Sequence, residues 1–124
     1  MNVERRKSER HRVPDSTLFI FDHDTSQMAV IKDINMNGLQ FQYFQFSEDC
    51  KAAWEIVDIF GSGPKRLHLL GIPCQLIYNQ NSLAENHSVA GPFTRTGGLK
   101  FGQLTAAQQK KLASAIAIID VHAA

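Results

Sequence analysis

The chain has 124 residues, 44% of them hydrophobic and 20% charged, with a formal net charge of +1 at pH 7. Those values fit one soluble globular domain that can bury a core without metal or disulfide staples; they exclude a disordered chain and a protein that binds through its overall charge. No apolar run approaches the roughly 20 residues needed to cross a bilayer, and the N-terminus lacks the apolar core of a secretory signal, so a cytoplasmic location is expected.

Residues 1–16 read as a flexible, arginine-rich arm. Arg5, Arg6, Lys7, Arg10 and Arg12 face only Glu4 and Glu9, which concentrates positive charge in one anion-attracting element. Composition alone would also describe a merely solvated terminus. Pro14-Asp15-Ser16 is turn-like, and residues 17–21 form a β-branched and aromatic run that suits a strand. After a turn over residues 22–26, Met28–Ile34 reads as a second strand and Gly38–Phe44 as a third. In the third, Leu39, Phe41 and Tyr43 alternate with Gln40 and Gln42, so one face is buried and one is wet.

Residues 47–53 suit a helical turn or a loop, before residues 54–60 resume a strand pattern with Trp54 in the core. Gly61-Ser62-Gly63-Pro64 is a break. Residues 67–78 make a strand interrupted at Gly71-Ile72-Pro73, where Pro73 cannot donate to a ladder and marks a bulge or an edge. Residues 79–92 read as a loop and residues 97–101 as a last strand. A helix follows over about residues 105–119, opened by a Thr105/Gln108 capping box, with Leu112, Ile116 and Ile119 on one face. Six short strands fit a closed antiparallel barrel or a two-sheet sandwich.

Cys50 and Cys74 are isolated, and the histidines are not at metal-ligand spacing, so no metal site, cofactor or disulfide is expected. No nucleophile or paired carboxylate site stands out either, and an enzyme is not expected. The residues with recognition chemistry are elsewhere. Arg6 and Arg10 can each donate paired hydrogen bonds to a phosphate or to a guanine edge, and can stack on a purine. Asp33 and Asn35 alternate where the second strand ends. A carboxylate there can accept from guanine amino and imino hydrogens, while Gly38 allows a positive φ or a close backbone approach. An Asx-type turn without any ligand would use the same residues.

Arg6-Lys7-Ser8-Glu9-Arg10, followed by Asp33-Ile34-Asn35-Met36-Asn37-Gly38 between two strands, resembles the paired signature of the PilZ domain: an arginine pair and a downstream Asp/Asn-x-Ser-x-x-Gly. The likeness extends to the closing Gly-Leu-Lys-Phe strand and the helix after it. It implies a mainly β fold, a six-stranded antiparallel PilZ-type barrel over residues 17–124 with a C-terminal α-helix. It also implies cyclic di-GMP as the ligand, held by Arg5, Arg6, Arg10, Asp33, Asn35, Gly38 and, just before the closing strand, Arg95. Asn35 stands where the family pattern has Ser, and Asn37 where Gly is frequent, which makes the site bulkier.

Function is therefore expected to be that of a non-catalytic second-messenger receptor, monomeric or dimeric, whose ligand orders the arm against the barrel for a downstream protein partner to read. The alternative is a PilZ-like adaptor that binds no nucleotide and works through protein contacts. A nucleic-acid-binding barrel is disfavoured, because Lys65, Arg66 and Arg95 form no basic track.

Overall fold

Strict alternation makes the barrel wall. In β2 (Leu18–Asp22) the side chains of Leu18, Ile20 and Asp22 are buried, whereas Phe19 and Phe21 point the other way; β4 (Gly38–Phe44) buries Leu39, Phe41 and Tyr43 in the same rhythm. The computed structural model describes residues 11–14, 17–44, 52–61, 67–81 and 94–123. With β3 (Met28–Ile34), β5 (Ile56–Gly61), β6 (His68–Asn81) and β7 (Thr94–Phe101), these strands pair antiparallel in the order β3-β2-β5-β6-β7-β4. A further β3–β4 pairing closes the ring, giving the expected six-stranded barrel rather than a sandwich.

A short strand, β1 (His11–Arg12), lies outside the ring and pairs with the end of β3. β2 pairs with residues 28–30 of β3, and β1 takes over along the same strand at residues 33–34. Val13 follows β1 into the core at 4% exposure, and its N–H donates to the Lys32 carbonyl at 2.9 Å. Sheet pairing thus reaches His11 and Arg12, inside the span 1–16 expected to be a flexible arm. Sequence periodicity misses this because a two-residue strand has no period to read.

Trp54 is fully buried against Phe41 and Tyr43, with ring centroids 4.8 and 5.4 Å apart. It precedes β5 rather than belonging to it, with φ +57, a conformation that costs a bulky residue about 1–3 kcal/mol. The buried carboxylate of Asp22 holds it there. Asp22 Oδ1 accepts from the Trp54 backbone N–H at 2.9 Å, and Oδ2 accepts from the N–H and hydroxyl of Thr25 at 3.0 and 2.8 Å.

β6 runs unbroken through Gly71 and Pro73. The β5–β6 register slips between Val57 and Ile59, Gly71 takes φ +65, and its N–H donates to Asp58 Oδ1 at 2.8 Å, so the predicted interruption is a bulge within one strand. Helix α1 (Ala106–Ala123) extends past the expected end at residue 119. Its capping box is reciprocal: the Thr105 N–H donates to Gln108 Oε1 at 2.9 Å, and the Gln108 N–H donates to Thr105 Oγ1 at 3.1 Å. Leu112, Ala115, Ile116 and Ile119 are buried as α1 packs on β1 and β6.

Candidate functional site

A bulge in β3 shapes the outer face. Ile31 pairs with Phe41 and Asp33 with Gln40, which leaves Lys32 as the extra residue, while Ile31 and Ile34 are both fully buried. Strict alternation would fit only one outward residue between them. The bulge turns both Lys32 and Asp33 to the outside.

Asp33 then sits in a row that crosses five strands. Arg12 on β1 is its Cα partner on one side and Gln40 on β4 on the other; Gln40 partners Gly98 on β7, and Gly98 partners Tyr78 on β6. Gly98 has no side chain because the Tyr78 ring lies over it; any Cβ would collide with that ring. The Gln40 Nε2 donates to the Tyr78 hydroxyl at 2.9 Å, tying the row together.

At the end of β3 the chain turns on Asn35. Its Oδ1 accepts from the N–H groups of Asn37 at 2.7 Å and Gly38 at 3.0 Å, and its own N–H donates to the Gly38 carbonyl at 2.9 Å. This is an Asx turn, and it commits the amide oxygen. What Asn35 can still offer a ligand is its Nδ2 donors. The Asn37 carbonyl accepts from the Phe101 N–H at 2.7 Å and fastens the turn to β7. Gly38 is required by close approach, since a Cβ would collide with the Leu99 carbonyl oxygen.

Two adjoining grooves flank the Asp33–Gln40 pair. One, of about 490 Å³, holds Asp33, Asn35, Gly38, Tyr78, Gly98 and Lys100 in its lining; the other, of about 460 Å³, is lined by Arg12, Val13, Lys32, Asp33, Gln40, Gln42 and Thr96. Among the described residues Asp33 is the one carboxylate in either lining, set among the cations Arg12, Lys32 and Lys100. Donors, acceptors and one aromatic ring packed on a glycine suit recognition of a planar, anionic ligand. Among the described residues no group of three or more His, Cys, Asp or Glu could hold a metal ion. No helix among them is long and apolar enough to cross a membrane.

Of the residues expected to form the site, Asp33, Asn35 and Gly38 come together here, while Arg5, Arg6 and Arg10 lie outside the described residues. Arg95 is placed elsewhere. It shares the side of β7 taken by Gly97 and Leu99, whose neighbours are in the core, and its Nε and Nη2 both donate at 2.9 Å to Asn79, to Oδ1 and to the backbone carbonyl. Arg12, Lys32, Gln40, Tyr78 and Lys100 are the additions. In the sequence Arg12 stands out only as arm charge, and Lys32 shares a face with Asp33 through a bulge that no single-strand pattern reveals.

No family model and no curated protein sequence matches the chain. Solved structures do match in fold. The PilZ domain of YcgR from Escherichia coli, determined with c-di-GMP, superposes with a TM-score of 0.68 at 12% identity over 97% of this chain and 95% of that one. YcgR from Escherichia coli in complex with c-di-GMP gives 0.64 at 17% identity, covering 98% of this chain and 48% of that one. MrkH from K. pneumonia in its apo state gives 0.68 at 13% identity, with 97% and 52% covered.

The architecture is therefore that of a closed six-stranded β-barrel followed by a C-terminal helix. Its fold is the PilZ-domain fold, and the chain spans about half the length of the longer YcgR and MrkH chains.

Proposed function

We propose that this chain is a non-catalytic receptor for cyclic di-GMP. The observation that carries the reading is the row Arg12–Asp33–Gln40–Gly98–Tyr78, which runs between two contiguous grooves beside the Asn35–Gly38 turn. The Asp33 carboxylate accepts from the amino and imino hydrogens of a guanine, and Asn35 Nδ2 donates to its neighbouring acceptors. Arg5, Arg6 and Arg10 supply phosphate and base-edge contacts from the arm, which ligand gathers onto the face for a downstream partner to read. Ligand orders the arm only to the extent that it binds that arrangement more tightly than the free one. The c-di-GMP complexes among proteins of the same fold support this choice of ligand. Arg95, engaged by Asn79, is left out of the ligand set.

Isothermal titration of the purified protein with cyclic di-GMP, beside GMP and cyclic di-AMP, tests the reading. Saturable binding of cyclic di-GMP alone, weakened about tenfold by Arg10→Ala, is expected for a lost bidentate contact. Limited proteolysis tests the arm: cleavage before His11 should slow when ligand is added, and equal cleavage with and without ligand would remove the ordering step.

A second reading, that of an adaptor without nucleotide affinity, draws on the Asn35 oxygen being committed to its turn and on the opposite side of the barrel. There Phe19, Phe21 and Phe60 cluster on the outer side of β2 and β5, with centroids 5.8 and 6.0 Å apart, beside exposed Met28 and Ile56. Apolar residues on both faces of a strand indicate cover on both faces. Absence of any nucleotide binding, with a stoichiometric complex lost on Phe60→Lys, would favour it.

A further inference from the structure

The two grooves share Asp33 and Gln40 but differ in chemistry. Among the described residues, the groove beside the motif turn balances Asp33 with Lys100 and adds the Tyr78 ring, which packs over Gly98. Among the described residues its neighbour has no aromatic side chain. It sets two cations, Arg12 and Lys32, against the same carboxylate, with the amide of Gln42 and the hydroxyl of Thr96 on its far wall. A flat, charge-balanced surface with a ring suits a base, whereas a net positive groove with neutral hydrogen-bonding groups suits a phosphodiester.

Each cation is placed there by a specific backbone device. Alternation from buried Ala29 and Ile31 turns Lys32 outward, and the bulge keeps Asp33 outward beside it while Ile34 returns to the core. Arg12 is set opposite Asp33 by the β1–β3 pairing, and that pairing is fixed by the burial of Val13 and its hydrogen bond to the Lys32 carbonyl. One bulge thus gives adjacent residues opposite charges on the same face. Asp33 lines both grooves, and Lys32 lines only the second.

We propose that the groove lined by Arg12, Lys32, Gln42 and Thr96 is a phosphate subsite adjoining the base-binding groove, with Lys32 and Arg12 as its affinity-setting residues. The proposal rests on the receptor reading above and assigns a division of labour within it: bases beside Tyr78 and Gly98, a phosphodiester beyond Asp33. It makes Lys32 a ligand contact although it lies outside both sequence motifs.

The test is titration of cyclic di-GMP into wild type, Lys32→Gln, Arg12→Gln and Lys110→Gln, at low and at high salt, with thermal melts to verify folding. Lys110 is exposed on α1 and absent from both linings, so it controls for net charge. Lys32→Gln and Arg12→Gln should each weaken binding about tenfold, as loss of a charged hydrogen bond does, and each should flatten the salt dependence; Lys110→Gln should do neither. If wild type binds and both groove variants bind as well as it does, the phosphate subsite is wrong while the receptor reading stands. If wild type itself does not bind, the receptor reading falls and takes the subsite with it.

Discussion

The backbone of Gly38 lies so close to Leu99 that no Cβ fits between its Cα and the Leu99 carbonyl oxygen. Gly98, across the same β4–β7 ladder, is blocked instead by the ring of Tyr78, a side chain that can move. The two glycines therefore predict different failures. Gly38→Ala must push a pair of bonded strands apart and should cost roughly 3 kcal/mol or more, read as a lower urea midpoint. Gly98→Ala should cost less stability but swing Tyr78 away from Gln40, breaking their hydrogen bond and weakening ligand binding more than it weakens the fold.

Asn35 holds two backbone N–H groups through one oxygen. Asn35→Ala leaves both without that acceptor and should lower stability by about 1 kcal/mol, the scale of a lost cap. Asn35→Asp keeps the acceptor, so the melt should stay close to wild type while the added negative charge weakens cyclic di-GMP binding. Equal affinities for Asn35→Asp and wild type would mark Asn35 as a turn former and nothing more.

The pairing of Asp22 with Trp54 gives a spectroscopic prediction, because Trp54 is the sole tryptophan of the chain. Asp22→Ala removes the acceptor of three hydrogen bonds in a buried setting and releases the left-handed backbone at Trp54. A loss of about 3 kcal/mol or more is expected. Emission of the native protein should be blue-shifted, as for a fully buried indole, and should move to the red in the variant at lower denaturant than in wild type.

Burial pushes the Cys74 thiol up from 9.0 to about 12. In the unfolded chain the thiol ionises near its ordinary value, so from about 9 to about 12 the unfolded state has lost a proton that the native state keeps. This contribution is present in full below 9.0 and is lost as pH rises through that window. Urea midpoints should fall more steeply with alkaline pH in wild type than in Cys74→Ala. In a Cys50→Ser background, Cys74 should react slowly with a disulfide reagent until the protein is unfolded.

Legibility in the sequence followed how local each signal was. The bounds of β3 and β4 could be read directly, because alternation of Leu39, Phe41 and Tyr43 with glutamines and an Asn-Gly turn are nearest-neighbour facts. The capping box of Thr105 and Gln108 was legible for the same reason. The shared face of Lys32 and Asp33 was not, since a bulge exists only relative to the partner strand that sets the register. Nor was β1, whose two residues are ordered by Asp33 and Ile34 far along the chain. The placement of Arg95 was within reach to a degree: counting by twos from Leu99 puts it on the inward side of β7, away from Asp33. Trp54 could be recognised as core, but its positive φ depends on a hydrogen bond to Asp22 that no propensity encodes.

The central claim is that the face around Asp33 receives cyclic di-GMP, and one titration tests it most directly: Asp33→Ala beside wild type, each with cyclic di-GMP, cyclic di-AMP and GMP. Saturable binding of cyclic di-GMP to wild type, with no comparable response to the other two and at least about tenfold weaker binding by Asp33→Ala, is the predicted result, since that carboxylate is the proposed acceptor for the guanine edge. Absence of heat with wild type, or equal binding by the well-folded Asp33→Ala protein, would contradict it.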